Sequence, residues 1–262
     1  GEREEHDIAP YKKNAQKFVC TPARAYANRA KVERNMQRLA DYSNRSPLNK
    51  MELRGGRLGV ISASVAYEYA REAFPEDTSF LKLGLTYPLP MQLIREFAAK
   101  VETLYVIEEL DGFMETEIRA AGIDCIGKSV VSPMYELNPE LLREMVFGVK
   151  PETRDVARPP ALCPGCPHRG FFYCVSKIKN AVVTGDIGCY TLGAAPPLNA
   201  SDTCVCMGGG FTVGAGMARA FSLSGQKRPV FGVVGDSTFF HSGITGAVEI
   251  IYNNAGMIPV VL

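Results

Sequence analysis

PVFGVVGDSTFFHSGI, residues 229–244, is the stretch whose reading decides the fold. Its first part, PVFGVV, is a short unbroken apolar run, the pattern of a strand buried on both faces. The segment after GDS, as far as Asn254, reads as a helix. In an open parallel sheet, ligands bind outside the carboxyl ends of the strands, and that is where Asp236 and Ser237 fall. Gly235 lets the backbone turn and come close to a ligand. The free N–H groups of the following helix suit phosphate, and an aspartate there can hold Mg²⁺ against phosphate oxygens. Asp236 could equally cap the helix, and the triplet alone leaves both readings open.

Working outward, the same dipeptide recurs. AVVT, residues 181–184, exits into GDIGC, so Asp186 stands at a second strand end, with Gly188 and Cys189 just behind it. Between the two strands lies MGGGFTVGAGMARAFS, rich in small residues at Gly208, Gly209, Gly210, Gly214 and Gly216. This reads as a helix packed closely on a partner element or a ligand. Its GxxxG spacing would suit a membrane helix, but Arg219 and the shortness of the apolar run oppose that. A domain is therefore expected over residues 161–262.

Upstream the chain alternates. RLGVIS, SFLKLG, TLYVIEE and the short DCIGK read as strands, and the segments between them as helices, one opened by Pro90 and one closed by Gly122. This rhythm predicts an α/β domain over 55–132 with a parallel sheet covered by helices. Residues 1–54 read as a helical arm or linker, with Val32, Met36 and Leu39 on one face of a helix over 24–41 that SNRSPLNK breaks. Residues 133–160 read as a linker carrying one short helix, NPELLREMV, and ending in the proline-rich GVKPETRDVARPP. MIPVVL closes the sequence inside a predicted strand, which implies a domain cut at its C-terminal end, since a terminal carboxylate in a core strand is costly.

Composition bounds the function. The 262 residues carry a formal net charge of +1, with 46% hydrophobic and 22% charged residues, an ordinary globular balance. Near-neutral charge gives no argument for nucleic acid, and no apolar run approaches the roughly 18 residues of a membrane span. The eight cysteines, with no export signal before them, predict a reducing, cytoplasmic setting. Six of them, Cys163, Cys166, Cys174, Cys189, Cys204 and Cys206, crowd into one region, which favours metal or redox chemistry over disulfides. Cys20 and Cys125 stand apart and read as ordinary buried thiols. CPGC, residues 163–166, could hold zinc or an iron–sulfur cluster, or simply shape a pocket; the weak strand pattern before it argues against a thioredoxin-like site. Zinc would need two more ligands, from among His168, Cys204 and Cys206.

At this point the sequence resembles a known family. LCPGCPHRGFF, VVTGDIGCYTLGAAPPLNASDTCVCMGGG and GDSTFFHSGITGAVEIIYNNA look like the thiamine-diphosphate domain of indolepyruvate ferredoxin oxidoreductase, alpha subunit. GVISASVAYEYA, LKLGLTYPLP and VIEELDGFME look like the preceding domain of that subunit, which is similar to the transketolase C-terminal domain. The resemblance implies two α/β domains, the second a thiamine-diphosphate-binding fold. It implies that Asp236 binds Mg²⁺, which grips the cofactor diphosphate, with Gly235 and Ser237 lining the loop and Asp186, Gly188, Cys189 and Gly208 bordering the pocket. The second Mg²⁺ ligand of the pattern would lie beyond Leu262; Asn253 and Asn254 come too early and read as helix-end residues. In related pyruvate and 2-oxoglutarate enzymes, cysteines matching Cys163, Cys166 and Cys189 help bind a [4Fe–4S] cluster.

The implied reaction is oxidative decarboxylation of arylpyruvates to aryl-acetyl-CoA, with electrons passed to ferredoxin and the acyl group to coenzyme A. The implied partner is the enzyme's beta subunit, in an oligomer. The sequence keeps two alternatives: a non-oxidative thiamine-diphosphate decarboxylase or carboligase, against which the clustered cysteines weigh, and a non-catalytic module stabilised by metal, against which the GDS loop weighs. His241 reads either as a catalytic proton donor or acceptor facing the substrate or as a hydrogen-bonding turn residue. Phe239 and Phe240 read as core. Glu108 and Glu109, closing a strand, read as surface or interdomain contacts.

Overall fold

Alternate residues of a strand point to opposite faces, and in the computed structural model Val60 and Ile61 face two different cores. The structure describes residues 7, 10–150 and 159–262; the first residues of the expected arm and most of the proline-rich end of the expected linker lie outside the described residues. The chain divides into two compact units, Gly1–Arg154 and Asp155–Leu262.

The first unit opens with helices α1 (Ala15–Phe18) and α2 (Pro22–Arg45) and a short strand β1 (Lys50–Glu52). Then β2 (Leu58–Ala63), α3 (Ser64–Ala73), β3 (Ser79–Leu83), α4 (Met91–Ala98), β4 (Thr103–Ile107), α5 (Phe113–Ala120) and α6 (Pro139–Phe147) follow. The sheet order is β1-β3-β2-β4. β2 pairs in parallel with both β3 and β4. On one face Val60 and Phe80 pack with Tyr67, Phe74 and Leu142; on the other Ile61, Leu81 and Leu83 pack with Ile94, Phe97, Met114 and Ile118. Both faces are covered, which is why these strands read as apolar runs rather than as alternations.

Several expectations are corrected here. The sheet is not wholly parallel: β1, expected as arm, pairs antiparallel with β3, Lys50 opposite Lys82 and Glu52 opposite Phe80. Three polar-flanked residues at an edge carry no periodicity to read. DCIGK is not a strand but a single bridge, Tyr105 to Ile126. Ile126 exchanges backbone bonds with Leu104 and Val106, and the chain then turns at Gly127, whose carbonyl accepts the Val130 and Val131 N–H groups. Within the stretch expected as linker, Leu137 and Leu142 are buried in the first core. Cys125 is buried, and desolvation pushes its thiol pKa up, but Cys20 is exposed. On α2, Val32 and Leu39 are exposed and Met36 is half-buried.

Glu108 is a further correction. It is buried, not a surface contact, and its carboxylate accepts the N–H groups of Met114 at 2.8 Å and Glu115 at 2.9 Å. These are first-turn donors of α5, with no partner inside the helix. Glu109 accepts the Leu137 N–H at 2.9 Å and so anchors the segment leading into α6.

The second unit contains α7 (Pro167–Ser176), β5 (Val182–Gly185), a 3₁₀ turn (Cys189–Ala194), β6 (Thr203–Cys204), α8 (Gly209–Leu223) and β7 (Val230–Val234). It ends with α9 (Asp236–Thr238), a π turn (Phe239–Gly243), α10 (Ile244–Tyr252) and β8 (Ile258–Val261). All strand pairs are parallel, in the order β6-β5-β7-β8. Phe211, Ala215 and Ile250 of α8 and α10 cover one face with Val182 and Val234; Phe172 and Val175 of α7 cover the other with Val183 and Val233. α8 lies unusually close to the sheet. A Cβ at Gly210 would stand 2.1 Å from the Val233 carbonyl oxygen, so only glycine fits there. Asn253 closes α10 and bonds Glu249 at 3.0 Å, a helix-end role as read from the sequence. Phe239 packs against the core, but Phe240, expected there too, is 78% exposed, because the π turn rotates it outward. Among the described residues no helix is long and apolar enough to cross a membrane.

Glu108→Ala removes both acceptors from the start of α5. We expect a loss of about 2 kcal/mol, the usual cost of orphaning buried helix-start donors, read by urea unfolding of the chain; unchanged unfolding would mean that water replaces the carboxylate without penalty.

Candidate functional site

The strand order creates a crevice. β5 connects to β6 on one side and β7 to β8 on the other, so the connections diverge between β5 and β7, which are neighbours. Such a switch point opens a cleft at the carboxyl ends of the two strands. Asp186 and Asp236 stand one residue and two residues past these ends.

The two aspartates have opposite environments. Asp186 is fully buried at 0% exposure. Its Oδ1 accepts the N–H of Ile187 at 2.9 Å and of Gly208 at 2.9 Å, and its Oδ2 accepts the N–H of Gly235 at 3.0 Å. One carboxylate thus joins the β5 exit, the residue before α8 and the β7 exit. Gly208 takes a φ of 81°, a conformation open to glycine, to present its N–H. The Asp186 carbonyl in turn accepts the Thr191 hydroxyl at 2.8 Å, folding the 3₁₀ turn back over the strand end. Thr184 donates its hydroxyl to the Gly210 carbonyl at 2.6 Å, fixing α8 to β5.

Asp236 is exposed, and its Oδ1 accepts the N–H of Ser237 at 2.7 Å. Its backbone is fixed even though its side chain faces outward: the Asp236 N–H donates to the Leu262 carbonyl at 3.0 Å, continuing the β7–β8 ladder. Ser237 is exposed beside it.

Tyr190 completes the floor. Its hydroxyl donates to the Leu262 carbonyl at 3.0 Å. Its ring lies under Gly235, where a Cβ would stand 2.7 Å from the Tyr190 Cε2, and against His168, with ring centroids 5.0 Å apart. Burial raises the Tyr190 pKa, and the nearby charges of Asp236, Asp186 and Cys189 raise it further, so the phenol stays a donor.

The structure thus brings Asp186, Gly208, Gly235, Asp236 and Ser237 together at the carboxyl ends of β5 and β7, with Gly188 and Cys189 in the turn between Asp186 and Tyr190. His241 lies exposed on the π turn that continues α9. Cys163 is exposed, and Cys166 is the residue before α7, its N–H bonded to the Cys163 carbonyl at 3.1 Å. Among the described residues no group of three or more His, Cys, Asp or Glu comes together as a metal site, so Cys163, Cys166 and Cys189 are not gathered as cluster ligands, and CPGC is not joined by His168, Cys204 or Cys206. Sequence reasoning missed Tyr190. Its partners are 45 and 72 residues away, and the one local hint is its place directly after GDIGC.

Residues 186–262, the part of the chain that holds this cleft, match the family model described as the thiamine pyrophosphate enzyme, C-terminal TPP binding domain. Over the chain as a whole, the curated relatives include an indolepyruvate oxidoreductase subunit IorA of Methanothermobacter marburgensis, 33% identical over 100% of this chain and 47% of its own length. The protein of that name from Archaeoglobus fulgidus is 32% identical over 96% of this chain and 44% of its own, and that from Pyrococcus horikoshii 30% identical over 96% and 45%. Along nearly its whole length the chain is similar to one part of the IorA subunits of indolepyruvate oxidoreductases. It spans about half the length of the IorA relatives that it matches. No solved structure matches it significantly.

Asp186→Ala strands three N–H donors, two of them buried. Charge-assisted bonds of this kind are each worth about 1.5–3 kcal/mol, so we expect a loss of at least about 3 kcal/mol. Asp186→Asn, which keeps one acceptor oxygen, is expected to lose clearly less. Urea unfolding of both variants checks the order; equal losses would show that shape and a single acceptor oxygen rescue nothing, and that the position needs both carboxylate oxygens.

Proposed function

We propose that this chain supplies the diphosphate- and Mg²⁺-binding half of a thiamine-diphosphate site, in an enzyme that oxidatively decarboxylates arylpyruvates of the indolepyruvate type to aryl-acetyl-CoA, with ferredoxin as electron acceptor. The observation that carries the reading is Asp236: an exposed carboxylate at a topological switch point, on a backbone fixed from both sides, inside the matched domain. Its oxygens suit a hard cation such as Mg²⁺, which takes carboxylate and phosphate oxygens and keeps water on its other positions.

The residues present fit the cofactor's diphosphate end. Gly235 has no room for a side chain on the Tyr190 side. Asp236 would hold Mg²⁺, with Gly235 and Ser237 lining the loop. Gly188, Cys189 and Gly208 would border the pocket, and Asp186 would act from beneath by holding the Gly208 and Gly235 backbones. A bound thiamine diphosphate supplies the chemistry of breaking the bond between a 2-oxo carbon and its carboxylate. His241, exposed on the same helical extension as Asp236, is assigned the proton at the substrate. Among the described residues Cys163, Cys166 and Cys189 are not brought together, so no electron path is drawn through them; the clusters that serve ferredoxin are assigned to the assembled enzyme. We assign the chain a partner beta subunit, an oligomeric working form and a cytoplasmic setting. The names of the curated relatives, indolepyruvate oxidoreductase subunits, support both the substrate and the subunit character.

The test uses the full-length subunit, purified without oxygen together with its partner subunit. Bound thiamine diphosphate, Mg²⁺, iron and acid-labile sulfide are measured in the wild type, Asp236→Ala and Cys163→Ala. Asp236→Ala is expected to lose Mg²⁺ and thiamine diphosphate while keeping its iron; retained cofactor would remove Asp236 from the site and end the reading. Cys163→Ala is expected to keep its iron, and a loss of about four irons per subunit would instead make CPGC a cluster ligand. An enzyme without any iron would point to the non-oxidative alternative.

A further inference from the structure

We infer that Tyr190 is a positioning residue for the metal-binding aspartate, an inference that rests on the assignment of Asp236 to Mg²⁺. The Leu262 carbonyl accepts two bonds at once, from the Asp236 N–H at 3.0 Å and from the Tyr190 hydroxyl at 3.0 Å. Leu262 also donates its N–H to the Val234 carbonyl at 3.1 Å, so the Asp236 backbone continues the β7–β8 ladder. The phenol adds a bond to the same carbonyl from outside the ladder, tying the turn after β5 to the point where the chain leaves β7.

The ring acts in the same sense as the hydroxyl. Its Cε2, Cζ and hydroxyl oxygen fill the space a Cβ of Gly235 would take, so the residue before Asp236 rests directly against the phenol. His168, at the start of α7, holds that ring from another side, 5.0 Å between centroids. Thr191, next along the 3₁₀ turn, is pinned by its bond to the Asp186 carbonyl at 2.8 Å. Tyr190 is therefore fixed from two sides before it touches the Asp236 turn. It does not face the cation; it sets how narrowly the Asp236 carboxylate can be placed.

Placement matters because Mg²⁺ demands near-ideal octahedral geometry, whereas the larger Ca²⁺ accepts irregular ligand sets. Loosening Asp236 should therefore harm Mg²⁺ more than Ca²⁺. A purely structural tyrosine would lower thermal stability and leave that preference alone.

The experiment titrates Mg²⁺ and, separately, Ca²⁺ into the metal-free assembled enzyme at fixed thiamine diphosphate, with cofactor retention by equilibrium dialysis as the readout. Tyr190→Phe keeps the ring and removes the hydroxyl. It is expected to raise the half-saturating Mg²⁺ concentration by about tenfold, the equivalent of one hydrogen bond, to change the Ca²⁺ value much less, and to leave the thermal midpoint of the metal-free enzyme in place. Gly235→Ala, which keeps the hydroxyl but pushes on the ring, is expected to narrow the Mg²⁺ to Ca²⁺ preference in the same way. Asp236→Ala is the control. If it still binds cofactor in a metal-dependent manner, the assignment of Asp236 fails; if it loses binding while both Tyr190→Phe and Gly235→Ala keep wild-type metal preference, the positioning role alone is overturned.

Discussion

A carboxylate with no access to water is a liability unless donors surround it, and the second unit is organised around one that is surrounded. Asp186 spends its two oxygens on three backbone N–H groups from three segments that are remote in sequence. Its charge also lies at the start of α8, a 15-residue helix whose N-terminal dipole end favours an anion. The bonds hold both walls of the crevice: the residue that opens α8 and the glycine that precedes Asp236. Remove the carboxylate and the crevice keeps its topology but loses its dimensions.

Those dimensions also require that α8 sit almost on the sheet. Gly210 lies backbone to backbone against Val233, and a Cβ at Gly232 would meet the Gly210 carbonyl oxygen at 2.8 Å. Two glycines facing each other across a helix–sheet contact give up side-chain burial. What they gain is distance: the helix start comes near enough for the Gly208 N–H to reach Asp186. The small-residue run therefore serves the site through packing geometry, not through membrane insertion or a flexible loop.

Much of this is legible in the sequence, for definite reasons. PVFGVV and RLGVIS read correctly as strands because both sheet faces are covered, leaving unbroken apolar runs between glycine and proline signals. The place of Asp236 at a strand exit is legible because strand, glycine, aspartate and helix are contiguous. β1 is not, since three residues at an edge, Lys50, Met51 and Glu52, are too few to carry a period. Glu108 looks like an ordinary charged strand end, and nothing local shows that α5 turns its unpaired N–H groups back onto it. The part Asp186 plays is hidden for the same reason. Its partners Gly208 and Gly235 lie 22 and 49 residues on, and a hydrogen bond between remote backbone segments leaves no periodic trace. Phe240 shows the opposite failure: an apolar residue in a helical pattern reads as core, but a π turn shifts the register and puts it outside.

The distribution of charge separates the two units further. Among the described residues, ion pairs link Arg29 with Glu33, Arg54 and Arg71 with Glu52, Arg57 with Glu102, Lys82 with Glu68, and Arg119 with Glu115, all in the first unit. None of these reaches the strand exits of the second, where Asp186 and Asp236 stand close enough to Tyr190 for both to raise its pKa. Two carboxylates in one cleft repel, and each needs its own source of positive charge. Asp186 takes it from backbone dipoles and is thereby saturated. Asp236 takes one N–H, from its own neighbour, and turns the rest of its carboxylate outward. A side chain held on so fixed a backbone, at a switch point, with its charge left for something from outside, favours a cation arriving with its own anionic ligand over a lysine or arginine of the chain. That is the electrostatic argument behind the proposal that Asp236 holds a metal ion.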